Sequence, residues 1–589
     1  MSTSVRPYMV SYLDNPNQEQ LKQLASLHTP NVMETSSGSL NKVSRNKARM
    51  AKYTYVVVDD LEEEPAWSHQ VMLAADASIL IRGQESYIRE KGELIVLDGY
   101  IGSGERAVGA TWYYTLEGAN IAGMQQVLAF PKEAGPQPFE SKFTVVYTPD
   151  YCPEGVPGNQ AILVDLKNWT TYIMGPDYFG ESKKAMLRML NHHVYQEGGL
   201  VLHAGAKAVT QPAGDRIMMT VMGLSGTGKT TTTFSSQGTL TEPVQDDMVC
   251  LWPNGELTVT ENGCFAKIEN LSEESEPVIY RGTVSKEAWL ENAYLNEDHG
   301  FDFSKNILTP HEVSRYRDIF IATGADPKNV DQYIRDEVEL QHILKKSDIP
   351  CVGWEFVAWT GNGRSIIPMS AIPGAADLED LPPVKTMGIL NRDEGNDACM
   401  PGIVRFTSPS QAAGYFMLGE TSKTSAAGSD RGKTRSPFTQ PFFPARHNQQ
   451  ATRFAELAAT MPDVSMWLMN TGYVGGAASD VEAGTAIKVK IHHSSAMLEA
   501  LLTDSVKWKI DPDFGYEIVD VDAPENRGLL KLVPKEILNP ALFYLSADRW
   551  LEYTTWVSQI REARKQFLFE YEVHPNIVSA VLYDPTAME

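Results

Sequence analysis

The segment Gly223-Leu224-Ser225-Gly226-Thr227-Gly228-Lys229-Thr230 fits the pattern of a phosphate-binding loop, GxxxxGK followed by Ser or Thr. Residues 215–222 before it are mostly apolar and predict a buried strand, and Thr231 with the next residues predicts the start of a helix. In this arrangement the backbone N–H groups of the loop and the helix N-terminus bind a polyphosphate. We expect Lys229 to neutralise the outer phosphates and Thr230 to bind Mg²⁺.

A glycine-rich turn without a ligand is the alternative, but the preceding strand and the Gly-Lys-Thr ending favour a nucleotide site. Such a site also needs a carboxylate near the metal. Gln245-Asp246-Asp247 stands where the next strand is expected to end, so one of these aspartates is a candidate ligand. A solvated pair of aspartates in a turn is the alternative here.

Length and composition indicate a soluble protein with more than one hydrophobic core. The chain has 589 residues, of which 42% are hydrophobic and 21% charged, and a single core rarely extends beyond about 300 residues. The net charge of −24 argues against a nucleic acid or an anionic membrane as a partner, because both require clustered Lys and Arg. Small anionic substrates are compatible with this charge, since a basic pocket can oppose the overall field.

Cysteine usage and the N-terminal sequence favour a cytoplasmic protein with free thiols. The cysteines are too scattered for a disulfide framework or a structural zinc site. Residues 1–20 lack the apolar core of a signal peptide, and no apolar run is long enough to cross a bilayer. The cysteines are Cys152, Cys250, Cys264, Cys351 and Cys399.

Apolar runs and turn residues predict a mixed α/β protein. Residues 1–50 are polar and weakly periodic, so we expect a loosely attached arm. Short strands, a helix over residues 180–196 and a strand over residues 200–203 are expected to follow. The predicted short strands are residues 55–58, 94–97, 143–147 and 161–164.

Three later segments have distinctive compositions. Residues 373–401 are rich in Pro, Gly, Asp and Asn and predict a long loop or an insertion. Residues 421–432 are mostly small and polar, which is typical of a mobile lid. One face of a C-terminal helix is apolar and is expected to pack against the core. Its residues are Trp550, Tyr553, Val557, Ile560 and Phe567.

Several motifs occur in a recognisable order on both sides of the phosphate loop. They are Tyr178-Phe179-Gly180-Glu181-Ser182-Lys183-Lys184, Leu202-His203-Ala204, Gly263-Cys264-Phe265-Ala266-Lys267, Ser275-Glu276-Pro277-Val278-Ile279-Tyr280, Asn362-Gly363-Arg364-Ser365, Ser429-Asp430-Arg431-Gly432 and Met469-Asn470-Thr471-Gly472-Tyr473. With the loop and its aspartate pair, they resemble the ATP-dependent phosphoenolpyruvate carboxykinase family. The resemblance is good over residues 178–280, patchy to about residue 476, weak before residue 178 and absent at the far C-terminus.

The resemblance implies a two-lobed α/β fold of the carboxykinase type. Residues 51–205 would form a substrate-side lobe, and residues 206–589 a nucleotide- and metal-binding lobe with a C-terminal helical extension. The implied reaction converts oxaloacetate and ATP into phosphoenolpyruvate, CO₂ and ADP, as in gluconeogenesis, or runs in reverse. The implied partners are small molecules, and the protein would be a monomer or a homo-oligomer.

The resemblance also implies a Mn²⁺ site formed by Lys184, His203 and Asp247, with Thr230 on the Mg²⁺ of the nucleotide. A lysine binds a metal only as the neutral amine, so burial and the cation would have to lower its pKa. Considered alone, His203 is expected to be a buried histidine bonded to backbone, and Lys184 an exposed residue near a helix end.

Catalytic roles follow from the same resemblance. Lys183 and Arg364 would stabilise the enolate that decarboxylation leaves, and Arg364 would bridge the substrate to the γ-phosphate. Tyr178 would lie beside the carboxylate or CO₂, and Ser225 beside the transferred phosphoryl group. Arg106 would bind a substrate carboxylate, although the family's Ser-Pro does not follow it, and an exposed turn arginine is the alternative.

Nucleotide contacts are implied for the loop and for three residues outside it. Arg431 and Glu276 would contact the nucleotide and Lys267 its adenine side, while a helix-end role is the alternative for Glu276. The residues after Arg431 depart from the family, which leaves the preferred nucleotide open. The implied loop contacts are Gly223, Leu224, Ser225, Gly226, Thr227, Gly228, Lys229, Thr230 and Thr231.

Two other functions fit the same residues. A kinase on this scaffold could phosphorylate a different small hydroxy or keto acid, retaining Lys229, Thr230 and Asp247. A nucleotide-sensing or structural relative without turnover is the third hypothesis. It is less consistent with the metal set, because a protein that only binds nucleotide has no need of a neutral lysine.

Overall fold

In a computed structural model, the chain forms two compact units, each built from two segments of sequence. The structure describes residues 7–46, 50–224, 226–336, 356, 359–422 and 433–583. Of these, the residues within 1–193 and 260–373 form the first unit, and those within 194–259 and 374–589 form the second. The units do not coincide with the predicted domains, which place all of 206–589 in one lobe, because three strands after residue 260 pair within a sheet of the first unit.

Strands and helices are interspersed along the chain, and the prediction of a mixed α/β protein is confirmed. The strands are β1 (Ser11–Asp14), β2 (Val32–Glu34), β3 (Leu40–Lys42), β4 (Thr54–Val58), β5 (Gln70–Leu73), β6 (Glu93–Ile101), β7 (Val108–Tyr114), β8 (Phe143–Thr148), β9 (Ala161–Asp165), β10 (Thr170–Met174), β11 (Leu200–Leu202), β12 (Ala204–Thr210), β13 (Arg216–Gly223), β14 (Leu240–Gln245), β15 (Val249–Leu251), β16 (Leu257–Val259), β17 (Gly263–Lys267), β18 (Trp289–Glu291), β19 (Arg364–Pro368), β20 (Val384–Asn391), β21 (Ile403–Arg405), β22 (Thr421–Ser422), β23 (Lys433–Thr434), β24 (Ser465–Asn470), β25 (Tyr473–Val474), β26 (Ile487–Lys488), β27 (Trp508–Ile510) and β28 (Glu517–Val519). The α-helices are α1 (Gln18–His28), α2 (Ala74–Lys91), α3 (Ala119–Leu128), α4 (Gly180–Gln196), α5 (Lys229–Phe234), α6 (Pro277–Thr283), α7 (Pro310–Ala322), α8 (Pro327–Asp336), α9 (Pro409–Leu418), α10 (Asn448–Ala459), α11 (Ala478–Glu482), α12 (Ile491–Leu502), α13 (Arg527–Leu530), α14 (Lys535–Leu538), α15 (Pro540–Ser546), α16 (Trp550–Glu570) and α17 (Pro575–Leu582).

Two sheets organise the first unit. The larger has the strand order β1-β6-β7-β8-β10-β9-β4-β5, and the smaller has the order β17-β19-β18-β3-β2. The strands predicted near residues 55, 94, 143 and 161 are confirmed as parts of β4, β6, β8 and β9. Helix α4 spans the residues predicted for it, so the run of motif residues from Tyr178 to Lys184 leads into its first turn.

The expectation of a loosely attached N-terminal arm is wrong for the described part of residues 1–50. Strand β1 pairs in parallel with β6, and β3 pairs in parallel with β18. Helix α1 buries Leu21 and Ala25. Sequence periodicity missed the two strands because β1 and β3 are only 4 and 3 residues long, too short to show a repeating pattern.

A sheet with the order β14-β12-β13-β20-β24-β21-β28-β27 organises the second unit. Its neighbours β13, β20 and β24 are parallel, so their carboxyl ends meet at one edge. The prediction of a loop or insertion over residues 373–401 is therefore wrong for β20, which lies inside this sheet. Flanking Pro, Gly and Asp residues hid an eight-residue strand that is almost entirely buried.

The apolar face predicted for the C-terminal helix is confirmed in its middle. In α16, Tyr553, Val557 and Ile560 are buried, whereas Trp550 is 47% exposed. Across the described residues, every helix is too short or too polar to cross a lipid bilayer.

A buried ion pair connects Arg564 of α16 to Glu420, the residue before β22 in the two-stranded ribbon of β22 and β23. The guanidinium of Arg564 donates to both carboxylate oxygens of Glu420, at 2.7 and 3.2 Å, and Arg435 donates to the same carboxylate at 2.8 Å. Although burial opposes it, these two cations hold the pKa of Glu420 well below its usual range. Most of the predicted lid, residues 423–432, lies outside the described residues.

Replacing Arg564 by Leu should destabilise the second unit, because the buried carboxylate of Glu420 loses its two-point partner. We expect the free energy of unfolding to fall by about 3 kcal/mol, measured as a lower urea midpoint by circular dichroism. The matched control is Arg446→Leu, which removes an exposed ion pair to Glu572 and should cost less than about 1 kcal/mol. Equal midpoints for the two variants would show that the buried pair contributes no more than the exposed one.

Candidate active site

The predicted phosphate-binding loop joins β13 to α5 in the second unit. The strand ends at Gly223 and the helix begins at Lys229, so the elements predicted on both sides of the loop are confirmed. Gly226 and Gly228 have φ angles of +86° and +88°, a conformation that residues with a side chain rarely adopt. Ser225 lies outside the described residues.

Side-chain hydrogen bonds hold this loop against the ends of neighbouring strands. The hydroxyl of Thr227 donates to the carbonyl oxygen of Leu224 at 2.8 Å. The hydroxyl of Thr471, the residue after β24, donates to the carbonyl oxygen of Thr227 at 2.8 Å. The loop is thus fixed at the carboxyl edge of the parallel strands, where open α/β sheets bind their ligands.

Two side chains meet on the carboxylate of Asp247. Strand β14 ends at Gln245, as the sequence predicts, and Asp247 follows in the next turn. Nζ of Lys229 and Nε2 of His203 each lie 3.0 Å from Oδ1 of Asp247. The structure therefore brings two of the three predicted metal ligands together with the lysine of the phosphate loop.

The imidazole of His203 has a polar partner at each of its two nitrogens. Its Nδ1 lies 3.1 Å from the carbonyl oxygen of Phe438; a carbonyl only accepts hydrogen bonds, so Nδ1 carries a proton. Burial, followed by the charge of Lys229, lowers the pKa of His203 and favours the neutral ring, against the contacts with Asp247 and the Phe438 carbonyl, which raise it. The imidazole nitrogen and the carboxylate oxygen, 3.0 Å apart, are ligand types that a divalent cation accepts.

The third predicted ligand, Lys184, belongs to the first unit and contacts a carboxylate there. Its Nζ donates to Oε1 of Glu181 at 2.6 Å. Although burial opposes it, Lys184 and Arg188 lower the pKa of Glu181, so this carboxylate is ionised near neutral pH. An ionised partner favours the ammonium form of Lys184, whereas a metal ligand must be the neutral amine.

Groups of three or more His, Cys, Asp and Glu side chains that could hold a metal ion do not occur in the part of the chain that the structure describes. The predicted set is of a different kind, because it contains one imidazole, one carboxylate and one amine. Its histidine and carboxylate fit a cation as described, and its lysine is engaged by Glu181.

Tyr178, Lys183 and Arg364 carry predicted catalytic roles and all belong to the first unit. Nζ of Lys183 lies 2.8 Å from Oε2 of Glu261, and both side chains are buried. Burial raises the pKa of Tyr178 to about 12, against the opposing charges of Arg364 and Lys183. Tyr178 is therefore a neutral phenol at physiological pH, able to donate a hydrogen bond.

Sequence reasoning missed Glu291, a buried carboxyl group beside these residues. Glu291 of β18 lies opposite Arg364 of β19 in the register of the two strands. Its Oε1 accepts a hydrogen bond from the N–H of Phe179 at 3.0 Å. Within the described residues its other oxygen, Oε2, is buried without a hydrogen-bond partner. Burial raises the pKa of Glu291 to about 8, with a further increase from Asp177 and opposition from Lys42 and Arg364. Sequence patterns did not identify Glu291, because its position opposite Arg364 follows from the pairing of β18 with β19.

The other predicted substrate and nucleotide contacts are Arg106, Lys267, Glu276 and Arg431. Arg106 is exposed on a short 3₁₀ turn, and Lys267 is exposed at the end of β17. Glu276 is the N-cap residue of α6, the position that the helix-end alternative describes. Arg431 lies outside the described residues. Roles for all four in binding substrate or nucleotide stay predictions.

Comparisons with known proteins agree on one family. The family model described as phosphoenolpyruvate carboxykinase matches residues 11–333 and 343–524. A phosphoenolpyruvate carboxykinase (ATP) from Parvibaculum lavamentivorans is 27% identical over 559 residues, which are 92% of this chain and 88% of that protein. One from Agrobacterium fabrum is 27% identical over 500 residues, covering 82% of this chain and 80% of its own. The match begins well before residue 178, so it includes segments in which the motifs alone show little resemblance.

The stability of the first unit should depend on the proton of Glu291. The pKa of Glu291 is about 8 in the folded protein, whereas the ordinary value for a glutamate is 4.5. Between pH 4.5 and 8 the folded state therefore keeps a proton that the unfolded chain has released. Its contribution to stability is complete below pH 4.5 and is lost as the pH rises through 8. Glu291→Gln keeps an oxygen for the Phe179 N–H and cannot ionise.

We therefore expect Glu291→Gln to gain stability relative to the wild type as the pH rises from about 6 to 8.5, by on the order of 2 kcal/mol. The measurement is the difference in melting temperature between variant and wild type at the two pH values. Glu274→Gln, which alters an exposed carboxyl group, is the control and should show no such trend. A difference for Glu291→Gln that is the same at both pH values would mean that the carboxyl ionises normally.

Proposed function

The chain belongs to the phosphoenolpyruvate carboxykinase family, and from that premise we propose that it is an ATP-dependent carboxykinase. The reaction joins the decarboxylation of oxaloacetate to phosphoryl transfer from ATP, giving phosphoenolpyruvate, CO₂ and ADP. We further propose the two-lobed fold of the family, with the phosphate loop in its C-terminal lobe. A cytoplasmic location suits the free thiols of Cys152 and Cys399.

The meeting of Lys229 and His203 on the carboxylate of Asp247 carries this proposal. A protein that only binds nucleotide needs the phosphate loop and its lysine, but it has no use for a neutral imidazole aimed at the same carboxylate. The arrangement supports a phosphoryl transfer in which the loop N–H groups and Lys229 hold the nucleotide and a cation offsets its charge.

In the proposed reaction a C–C bond of oxaloacetate breaks, CO₂ departs, and the electron pair of that bond becomes an enolate. The enolate oxygen then attacks the γ-phosphorus of ATP, and the bond to ADP breaks. Lys183 and Arg364 place positive charge where the enolate and the moving phosphoryl group carry negative charge. Tyr178 donates a hydrogen bond to the carboxylate that leaves, and Glu261 fixes the ammonium of Lys183 by their 2.8 Å contact.

His203, Asp247 and Lys184 are the proposed ligands of Mn²⁺, and Thr230 is the proposed ligand of the Mg²⁺ that accompanies the nucleotide. Such cations, when bound, stabilise negative charge as Lewis acids. The hydrogen bond from Nδ1 of His203 to the Phe438 carbonyl orients the ring for this role. Lys184 joins the set only if it exchanges its contact with Glu181 for the cation.

The remaining assignments concern recognition. We propose that Arg106 binds a carboxylate of the organic acid and that Ser225 contacts the transferred phosphoryl group. Arg431 and Glu276 are assigned to the nucleotide, and Lys267 to its adenine side. These roles rest on the family motifs. Because the nucleotide contacts are proposals, the assay compares several phosphoryl acceptors.

The test is an assay of the reverse reaction. Purified protein receives phosphoenolpyruvate, bicarbonate, Mn²⁺ and ADP, GDP or pyrophosphate in turn, and oxaloacetate is measured by coupled NADH oxidation with malate dehydrogenase. We expect turnover with ADP. Consumption of ATP with another small acid, and none with these substrates, would replace the proposal by a kinase on the same scaffold. Nucleotide binding without any turnover would replace it by a sensor.

Removing a proposed metal ligand should abolish most activity. His203→Ala and Lys184→Ala should each lower kcat by on the order of a hundredfold and weaken Mn²⁺ binding. Manganese affinity is read by electron paramagnetic resonance, so the result does not depend on turnover. The matched control, His311→Ala, changes an exposed histidine that contacts Glu297 and should retain both properties. Near-normal Mn²⁺ affinity in either ligand variant would remove that residue from the metal set.

A further inference from the structure

One aromatic ring in the first unit contacts both proposed enolate-stabilising cations. Nζ of Lys183 lies 4.8 Å from the centroid of the Phe265 ring, and the guanidinium carbon of Arg364 lies 5.6 Å from it. The ring of Phe179, next to Tyr178 in the chain, meets Phe265 edge to face at 5.7 Å. Both cations are within the range of about 6 Å in which a cation is attracted to an aromatic face.

The pairing of β17 with β19 explains why Arg364 reaches this ring. Phe265 pairs with Ile366, and Lys267 pairs with Arg364. Phe265 and Arg364 are therefore diagonal neighbours on one face of the sheet, close enough for a long side chain to lie over an aromatic one. Lys183 approaches the ring from α4, an element outside this sheet. The contact thus joins two separate elements of the first unit.

The two cations differ in how their charges are compensated. Lys183 is paired with Glu261. Among the described residues Arg364 makes no ion pair, and its guanidinium donates only to the carbonyl oxygen of the adjacent Gly363 at 2.8 Å. Its neighbour across the strands, Glu291, keeps its proton near neutral pH because burial raises its pKa to about 8. An aromatic face holds a guanidinium in place without neutralising it, which a carboxylate cannot do.

We propose that Phe265 is a positioning residue, whose ring sets the relative placement of Lys183 and Arg364 and leaves the charge of Arg364 available for an anionic substrate. The inference rests on the proposed function for the identity of that substrate. The placement itself is a property of the first unit. A misplacement of about 1 Å in a charged group can cost one to two orders of magnitude in rate, so the ring should affect kcat without touching a reacting atom.

Three variants separate the electrostatic role of the ring from its bulk. Phe265→Leu removes the aromatic face, and Phe265→Tyr retains it. Stepwise fluorination of a phenylalanine at position 265 preserves the shape of the ring while weakening its negative face. The matched control is Phe139→Leu, because the Lys132 ammonium lies over Phe139 at the same distance, 4.8 Å, outside the cluster of catalytic candidates.

We expect Phe265→Leu to lower kcat about tenfold, with the KM for ADP changed less than about twofold, and Phe265→Tyr to restore most of the rate. Each added fluorine should lower kcat further while the melting temperature stays constant. The Phe139→Leu control should keep the wild-type rate. A kcat that is indifferent to fluorination would overturn the proposal, since only the electrostatic character of the ring changes in that series.

A second measurement is independent of turnover. Phenylglyoxal modifies exposed guanidinium groups, and peptide mass spectrometry follows its rate at Arg364. We expect faster modification of Arg364 in Phe265→Leu than in the wild type and in Phe139→Leu, because the guanidinium has lost the surface that holds it. Equal rates would overturn the proposal. A wild-type protein without carboxykinase activity would instead refute the proposed function, and the labelling would still decide the role of Phe265.

Discussion

The carboxylate of Asp247 is the point on which the proposed chemistry of the second unit depends. One oxygen receives both the ammonium of Lys229 and Nε2 of His203 at 3.0 Å. A carboxylate shared in this way couples the charge of the predicted phosphate loop to the imidazole that is the proposed metal ligand. The surrounding backbone makes the arrangement specific, because the loop glycines fix where Lys229 begins and the Phe438 carbonyl fixes how His203 is oriented.

In the first unit the candidate site residues Lys183, Lys184 and Arg364 are cations in a chain with a net charge of −24. Lys183 and Lys184 are each close to an acidic residue, Glu261 and Glu181. Arg364 is treated differently, since its neighbours are an aromatic ring and a carboxyl group that holds a proton near neutral pH. Arg364 therefore retains both its charge and its two-point hydrogen-bonding geometry, which is what recognition of a phosphate or carboxylate requires.

Local features could be predicted from the sequence, and features made by pairing distant strands could not. The phosphate loop was predictable because glycine spacing and the Lys-Thr pair are contiguous, and α4 was predictable from its own length and pattern. Strand β20 was missed because turn residues flank it. The short strands before residue 50 were missed because they acquire their identity from partners far along the chain. The same reason hid Glu291, whose significance appears only when β18 lies beside β19. Family motifs supplied the proposed metal set, which composition and spacing alone would have left as a histidine and two separate charges.

The C-terminal helices extend this reasoning to a segment beyond the family match, which ends at residue 524. Arg564 of helix α16 contacts Glu420, which precedes β22, and Lys433 of β23 lies 3.1 Å from Asp393. Buried ion pairs seldom add much net stability, because desolvation offsets their attraction. They do penalise every arrangement in which one partner lacks the other. The C-terminal segment is thus better understood as fixing the position of this ribbon than as a dispensable addition to the second unit.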